Sequence, residues 1–114
     1  MVKEYRKNVE LHMTASCEEI LKILEKLIPE NKNAETQVFL IKMKGDYYRY
    51  MAEFTKDGPK KVNAEQAYKA YLEAVEIATK ESFVNGKMRP TLSQIHPTRL
   101  GLMLNLSIFI FEIL

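Results

Sequence analysis

From Tyr5 to Leu27 the apolar side chains return at steps of four and three: Tyr5, Val9, Met13, Cys17, Ile20, Leu24, Leu27. That is the period of one face of an α-helix, and no strand can hold such a pattern on one side. The spacing predicts a first helix over about 3–28, stopped by Pro29 and followed by the polar turn Glu30-Asn31-Lys32-Asn33. A second stripe of Leu40, Met43, Tyr47, Met51 and Phe54 predicts a helix over 34–54, with Asp57-Gly58-Pro59 as a breaker. Asn63, three residues before Gln66, resembles a capping box and opens a third helix over 64–81. Its apolar face is Ala67, Tyr68, Tyr71, Leu72, Val75 and Ala78, whose alanines let neighbouring helices approach closely. Asn85-Gly86 and Pro90 mark a long connection, and His96-Pro97 opens a fourth helix over 97–114. The expected fold is all-α, an antiparallel array of about four helices.

Composition narrows what such an array does. Hydrophobic residues make up 46% and charged residues 28% of the 114, an ordinary globular balance that excludes a disordered tail or a collagen-like repeat. Seventeen Lys and Arg against 15 Asp and Glu give +2, too even for a chain that grips nucleic acid by its phosphates. The lone Cys17 forms no internal disulfide, and MVKEYRKNVE offers no apolar leader, so the expected location is the cytoplasm. Ten of the fourteen residues from Gly101 to Leu114 are apolar, fewer than the ~20 of a membrane helix, and this stretch reads as a buried core helix. Its bare end, Phe109-Ile110-Phe111-Glu112-Ile113-Leu114, calls for a cover from this chain or another.

Few residues carry chemistry. Lys42, Asp46, Arg49 and Tyr50 fall at i, i+4, i+7 and i+8 along one helix face. A guanidinium forks onto a phosphate through two charge-assisted bonds, a phenol adds a third, and Asp46 lies within a turn of both cations. The same residues also read as a solvated, charged helix face. Asn105 is an amide in an apolar helix. Its partners are either a bound peptide backbone or, as a purely structural bond, a neighbouring helix. Glu112 either pairs with a base or faces solvent. His12 and His96 have no second ligand at i+4, and no nucleophilic or acid/base constellation and no phosphate-cradling loop stands out. The expectation is a non-enzyme with no metal and no cofactor.

The run VFLIKMKGDYYRYMAEF, Val38 to Phe54, resembles the signature of the 14-3-3 proteins, and RLGLMLNLSIFIFEIL, Arg99 to Leu114, resembles that family's second signature. EYRKNVELHMTASCEEILKILEKLIP and AYKAYLEAVEIATKE are similar to the helices around them, so the likeness covers nearly the whole chain. It implies a single partial 14-3-3-like domain over residues 1–114, matching the fourth to seventh of nine family helices. It also implies a concave groove that binds phosphoserine or phosphothreonine peptides, hence an adaptor that regulates signalling partners. Carried over by position, Arg49 and Tyr50 match the phosphate-binding pair, Lys42 a groove lysine, and Asn105 the amide that holds the peptide backbone. Leu104 and Ile108 match apolar groove walls, and Glu112 a groove carboxylate.

The departures from the family are specific. The leading family helices carry most of the dimer interface and two further phosphate-binding cations. A pocket short of two charge-assisted contacts, each worth about 1.5–3 kcal/mol, is expected to bind on the order of 10²–10⁴-fold more weakly. Tyr5 matches a dimer-facing tyrosine, whereas Asn8 and His12 stand where a lysine and a glutamate are expected. The connection over 82–95 is longer than the family's short loop. Besides phosphoproteins, the expected partner is a second such chain, with no nucleic acid and no membrane insertion. The competing function is a phosphate-independent scaffold that binds partner helices through Leu106, Phe109, Ile110 and Ile113.

Overall fold

The computed structural model describes residues 2–113, with side chains for 12–83 and 85–113. Four helices, α1 (Val2–Glu30), α2 (Ala34–Phe54), α3 (Asp57–Thr79) and α4 (Pro97–Glu112), are joined by short turns and one hairpin of β1 (Glu81–Val84) and β2 (Lys87–Pro90). The all-α expectation holds, and no described helix is long and apolar enough to cross a membrane.

The helix ends follow local chemistry. Asn33 caps α2 by accepting the Thr36 N–H at 3.1 Å. His96 caps α4 with Nδ1, which accepts the Thr98 N–H at 3.1 Å, and Pro97 occupies the first turn. With Nδ1 an acceptor, the ring hydrogen sits on Nε2 and is donated to Glu35 Oε1, 2.9 Å away at the start of α2. His96 is therefore a helix-entry residue that also ties α4 to α2.

Three expected boundaries are corrected. Pro29 lies inside the last turn of α1, which runs on to Glu30. Asp57-Gly58-Pro59 starts α3 instead of separating helices, because a proline in the first turn gives up an N–H that has no helical partner there. Asn63 is consequently no cap. It sits buried within α3 and donates to Thr55 Oγ1 at 3.3 Å, tying α3 to the end of α2. The connection after α3 is also more ordered than a loop. Asn85 and Gly86 have φ of 52° and 79°, the positive pair that a two-residue hairpin turn requires.

Packing centres on α2, which has α1 on one side and α3 on the other, with α4 across α2 and α3. Towards α1, Met51 packs with Cys17, Leu21 and Leu24, with Leu40, Met43 and Tyr47 at the margin. Towards α3, Val38, Ile41 and Ala52 meet Ala67, Ala70, Tyr71, Ala74 and Ala78, and Leu102 and Phe109 of α4 close the cluster. The alanine row of α3 does allow close approach. Tyr68 and Leu72, expected in its core face, are 39% and 44% exposed. On α1, Met13 and Leu27 are likewise exposed while Leu21 is buried. Side chains of Tyr5 and Val9 lie outside the described residues.

The fourth helix differs most from expectation. Only Leu102 and Phe109 are fully buried, whereas Leu100, Met103, Leu104, Ile110 and Phe111 are exposed. It is a half-covered helix lying on one side of the array rather than a core helix.

Candidate functional site

Gly45 is the residue that shapes the site. A Cβ there would stand 2.9 Å from the Tyr71 ring, so only glycine lets that ring lie flat against the α2 backbone. The closeness delivers the Tyr71 hydroxyl to Asp46, to which it donates a hydrogen bond in the interior. Sequence reading placed Tyr71 among core side chains and missed this polar end. The available signal was the isolated glycine inside a helical pattern, which marks a close approach.

Asp46 is the acceptor at the centre of a converging set. Its Oδ2 takes Lys42 Nζ at 3.1 Å, and its Oδ1 takes the Tyr71 hydroxyl and Asn105 Nδ2, the latter at 3.0 Å. Arg49 NH2 lies 4.0 Å from Oδ1, at the outer limit of an ion pair. Three helices thus meet on one carboxylate. The expected hold on Lys42 is present, and the hold on Arg49 is looser. Asn105 makes the bond to a neighbouring helix that spacing allowed, using one of its two amide hydrogens.

Arg49 is the unusual member. Its side chain is only 10% exposed, yet Nε has no hydrogen-bond partner. Burial opposes the charge, but Tyr71, Tyr50 and Asp46 outweigh it and raise the guanidinium above its ordinary pKa. The guanidinium carbon lies 5.2 Å from the centre of the Tyr50 ring, a cation–π contact. Tyr50 is itself 38% exposed and meets Tyr47 edge-on. Burial first, and then the bond to Asp46, hold the Tyr71 hydroxyl protonated well above the ordinary phenol range.

Beside this set a depression of about 210 Å³ is bordered by Phe39, Lys42, Met43, Asp46, Tyr47 and Tyr50. On α4, Gly101, Asn105, Ile108 and Glu112 follow one another at helical spacing, and Lys42 Cε comes within 3.5 Å of where a Gly101 Cβ would sit. Of the site residues expected from sequence, Lys42, Arg49, Tyr50 and Asn105 surround Asp46 directly or within one contact. Leu104 is 60% exposed, Ile108 half-buried and Glu112 exposed, and the hydrogen bonds to Asp46 described above come from other residues.

The model of the 14-3-3 protein family matches residues 1–114. The chain belongs to the 14-3-3 family. Among curated relatives it is similar to the checkpoint signal transducer rad24 of Schizosaccharomyces pombe, 46% identical over all of this chain and 39% of that one. It is similar as well to 14-3-3-like protein 2 of Caenorhabditis elegans, 45% identical over all of this chain and 42% of the relative. The 14-3-3 protein zeta of Bombyx mori is 46% identical, again over all of this chain and 42% of its own length. The chain therefore spans about two fifths of these 14-3-3 relatives.

Proposed function

We propose that this 14-3-3 chain is an adaptor that binds phosphoserine or phosphothreonine peptides against α2 and α4, and so regulates signalling partners. The observation that supports it is Arg49. A guanidinium nine-tenths buried, with Nε unpartnered and its nearest carboxylate 4.0 Å away, is a cation with capacity left for an anion. In this reading Arg49 and Tyr50 bind the phosphate, and Lys42 adds a second positive charge. Asp46 fixes the cations and Asn105, whose second amide hydrogen is available to a peptide carbonyl. Leu104 and Ile108 offer apolar contact to the flanking peptide residues, and Glu112 a carboxylate for a basic one. Binding here involves no bond chemistry, so an adaptor needs no catalytic group.

The family also supports pairing with a second 14-3-3 chain and a cytoplasmic setting, and both belong to the proposal. Of the residues expected at the dimer face, His12 is exposed, while the side chains of Tyr5 and Asn8 lie outside the described residues.

The test is fluorescence anisotropy of a labelled Arg-Ser-x-phosphoSer-x-Pro peptide beside its unphosphorylated twin. The phosphorylated peptide should bind more tightly, and Arg49→Ala should weaken it about tenfold to a hundredfold. Equal binding of the two peptides overturns the reading. It would favour the second one, a phosphate-independent scaffold. That alternative is supported by the exposed side of α4 and needs a different surface from the one expected. Leu106 and Ile113 are partly covered and Phe109 is buried, so Leu100, Met103, Leu104, Ile110 and Phe111 would carry it.

A further inference from the structure

The hairpin after α3 takes no part in the Asp46 network, and every described side chain from Glu81 to Arg89 is exposed. Its register pairs Glu81 with Pro90, Ser82 with Arg89, Phe83 with Met88 and Val84 with Lys87. Thr91 N donates to Lys80 O at 2.9 Å, which marks Lys80 and Thr91 as a hydrogen-bonded pair. Bonded and non-bonded pairs alternate in an antiparallel ladder, so Ser82/Arg89 and Val84/Lys87 are bonded too. Glu81 and Phe83 consequently turn their N–H and C=O groups outwards along the free edge of β1. The edge of β2 is interrupted, because Pro90 has no N–H.

The two faces of the hairpin also differ. Directly opposed residues share a face, so Phe83 and Met88, 71% and 59% exposed, form an apolar pair on one side, which Glu81 and Pro90 share at the end far from the turn. Arg89 and Lys87 share the other side with the small Ser82, across which Arg89 can extend. From Lys80 to Pro90 there are three cations, Lys80, Lys87 and Arg89, against the single carboxylate Glu81.

We infer that the β1 edge is a docking site for an extended segment of a partner protein in which acidic and apolar side chains alternate. Such a segment would bond its backbone to Glu81 and Phe83. It would lay one set of side chains beside Phe83 and Met88 and turn the other towards Lys87 and Arg89. Charge decides between occupants. A second copy of this hairpin brings the same excess of cations, whereas an acidic strand complements it. A lipid surface would meet the charge but leave the outward N–H and C=O groups of β1 unpaired in hydrocarbon.

The test uses the chain with a fluorescent peptide of alternating Glu and Val, and an isomer with all Glu before all Val. The alternating peptide should bind roughly tenfold more tightly, and added salt should weaken it. Glu81→Pro should abolish the preference. It removes only an outward N–H, and Lys80 already has the φ of −60° and ψ of 122° that precede proline readily. Cross-strand NOEs between Phe83 and Met88 should persist in that variant, showing the hairpin intact, while Glu81→Gln should still bind. The double reversal Lys87→Glu with Arg89→Glu should remove both binding and salt dependence. None of these variants should change the phosphopeptide titration. Equal affinity for the two isomers, or none for either, overturns the inference. So does binding to phosphatidylserine vesicles in place of the peptide, or a sedimenting dimer that Glu81→Pro dissolves.

Discussion

The Asp46 network and the hairpin over 81–90 both combine polar with aromatic or apolar side chains, yet they are held in opposite ways. The network draws its partners from far along the chain: Tyr71 is 25 residues from Asp46, and Asn105 is 59. It is ordered by the packing of α2, α3 and α4. The hairpin is held by a ladder within ten residues and a turn whose two central residues have positive φ. One is buried and determined several times over. The other is local, and its neighbours hardly notice it. A buried polar cluster fails as a unit when one member is lost, whereas an exposed hairpin fails alone.

The sharpest way to break that contrast is Asp46→Ala. It strands Lys42, Tyr71, Asn105 and Arg49 without their common acceptor, and denaturant unfolding should show a loss of about 3 kcal/mol. A loss as small as that of a surface substitution would mean that the network is not a unit. Gly45→Ala comes next. Its new methyl must displace the Tyr71 ring, and a loss of about 1–3 kcal/mol is expected. Gly86→Ala is its counterpart in the hairpin. No atom lies within 4 Å of its Cβ, but φ is 79°, so the ~1–2 kcal/mol of strain should appear as local hairpin opening in hydrogen exchange. The global unfolding midpoint should barely move.

Tyr71→Phe keeps the ring and removes only the bond to Asp46. About 1–2 kcal/mol should be lost, along with part of the phosphopeptide affinity. The sign with pH is fixed by the raised phenol pKa. This contribution is complete below the unfolded tyrosine value near 10 and declines as the pH climbs towards the folded one. In alkaline titrations the wild-type chain should therefore lose stability relative to Tyr71→Phe. The smallest effect is expected at Phe83→Ala, within about 0.5 kcal/mol, because the side chain is 71% exposed.

Much of the site was legible because one helix carries it. Lys42, Asp46, Arg49 and Tyr50 share a face by spacing alone, and the contact of Lys42 with Asp46 follows from a separation of four residues. Tyr71 and Gly45 were not legible as a pair, since nothing in either stretch says which helices will touch. The single stripe read on α2 has the same origin. That helix is packed on two sides, and its second buried face is written partly in Gly45 and Ala52, which hardly register as apolar. The hairpin was missed for a different reason. Asn85-Gly86 is a strong turn signal, but the strands beside it are four residues each and too short to show alternation.

The sequence by itself determined four helices, the opening of α4 at His96-Pro97, the line of polar groups on α2 and the likeness to the 14-3-3 proteins. Each of these is set by periodicity, by local bonding or by a matching run of residues. Only the tertiary structure decided that Asp46 is shared by three helices and that Arg49 is buried with a nitrogen unpartnered. It likewise decided that α4 leaves much of its apolar surface exposed. Burial is a property of what packs against a residue, and a chain read in order carries no record of its neighbours in space.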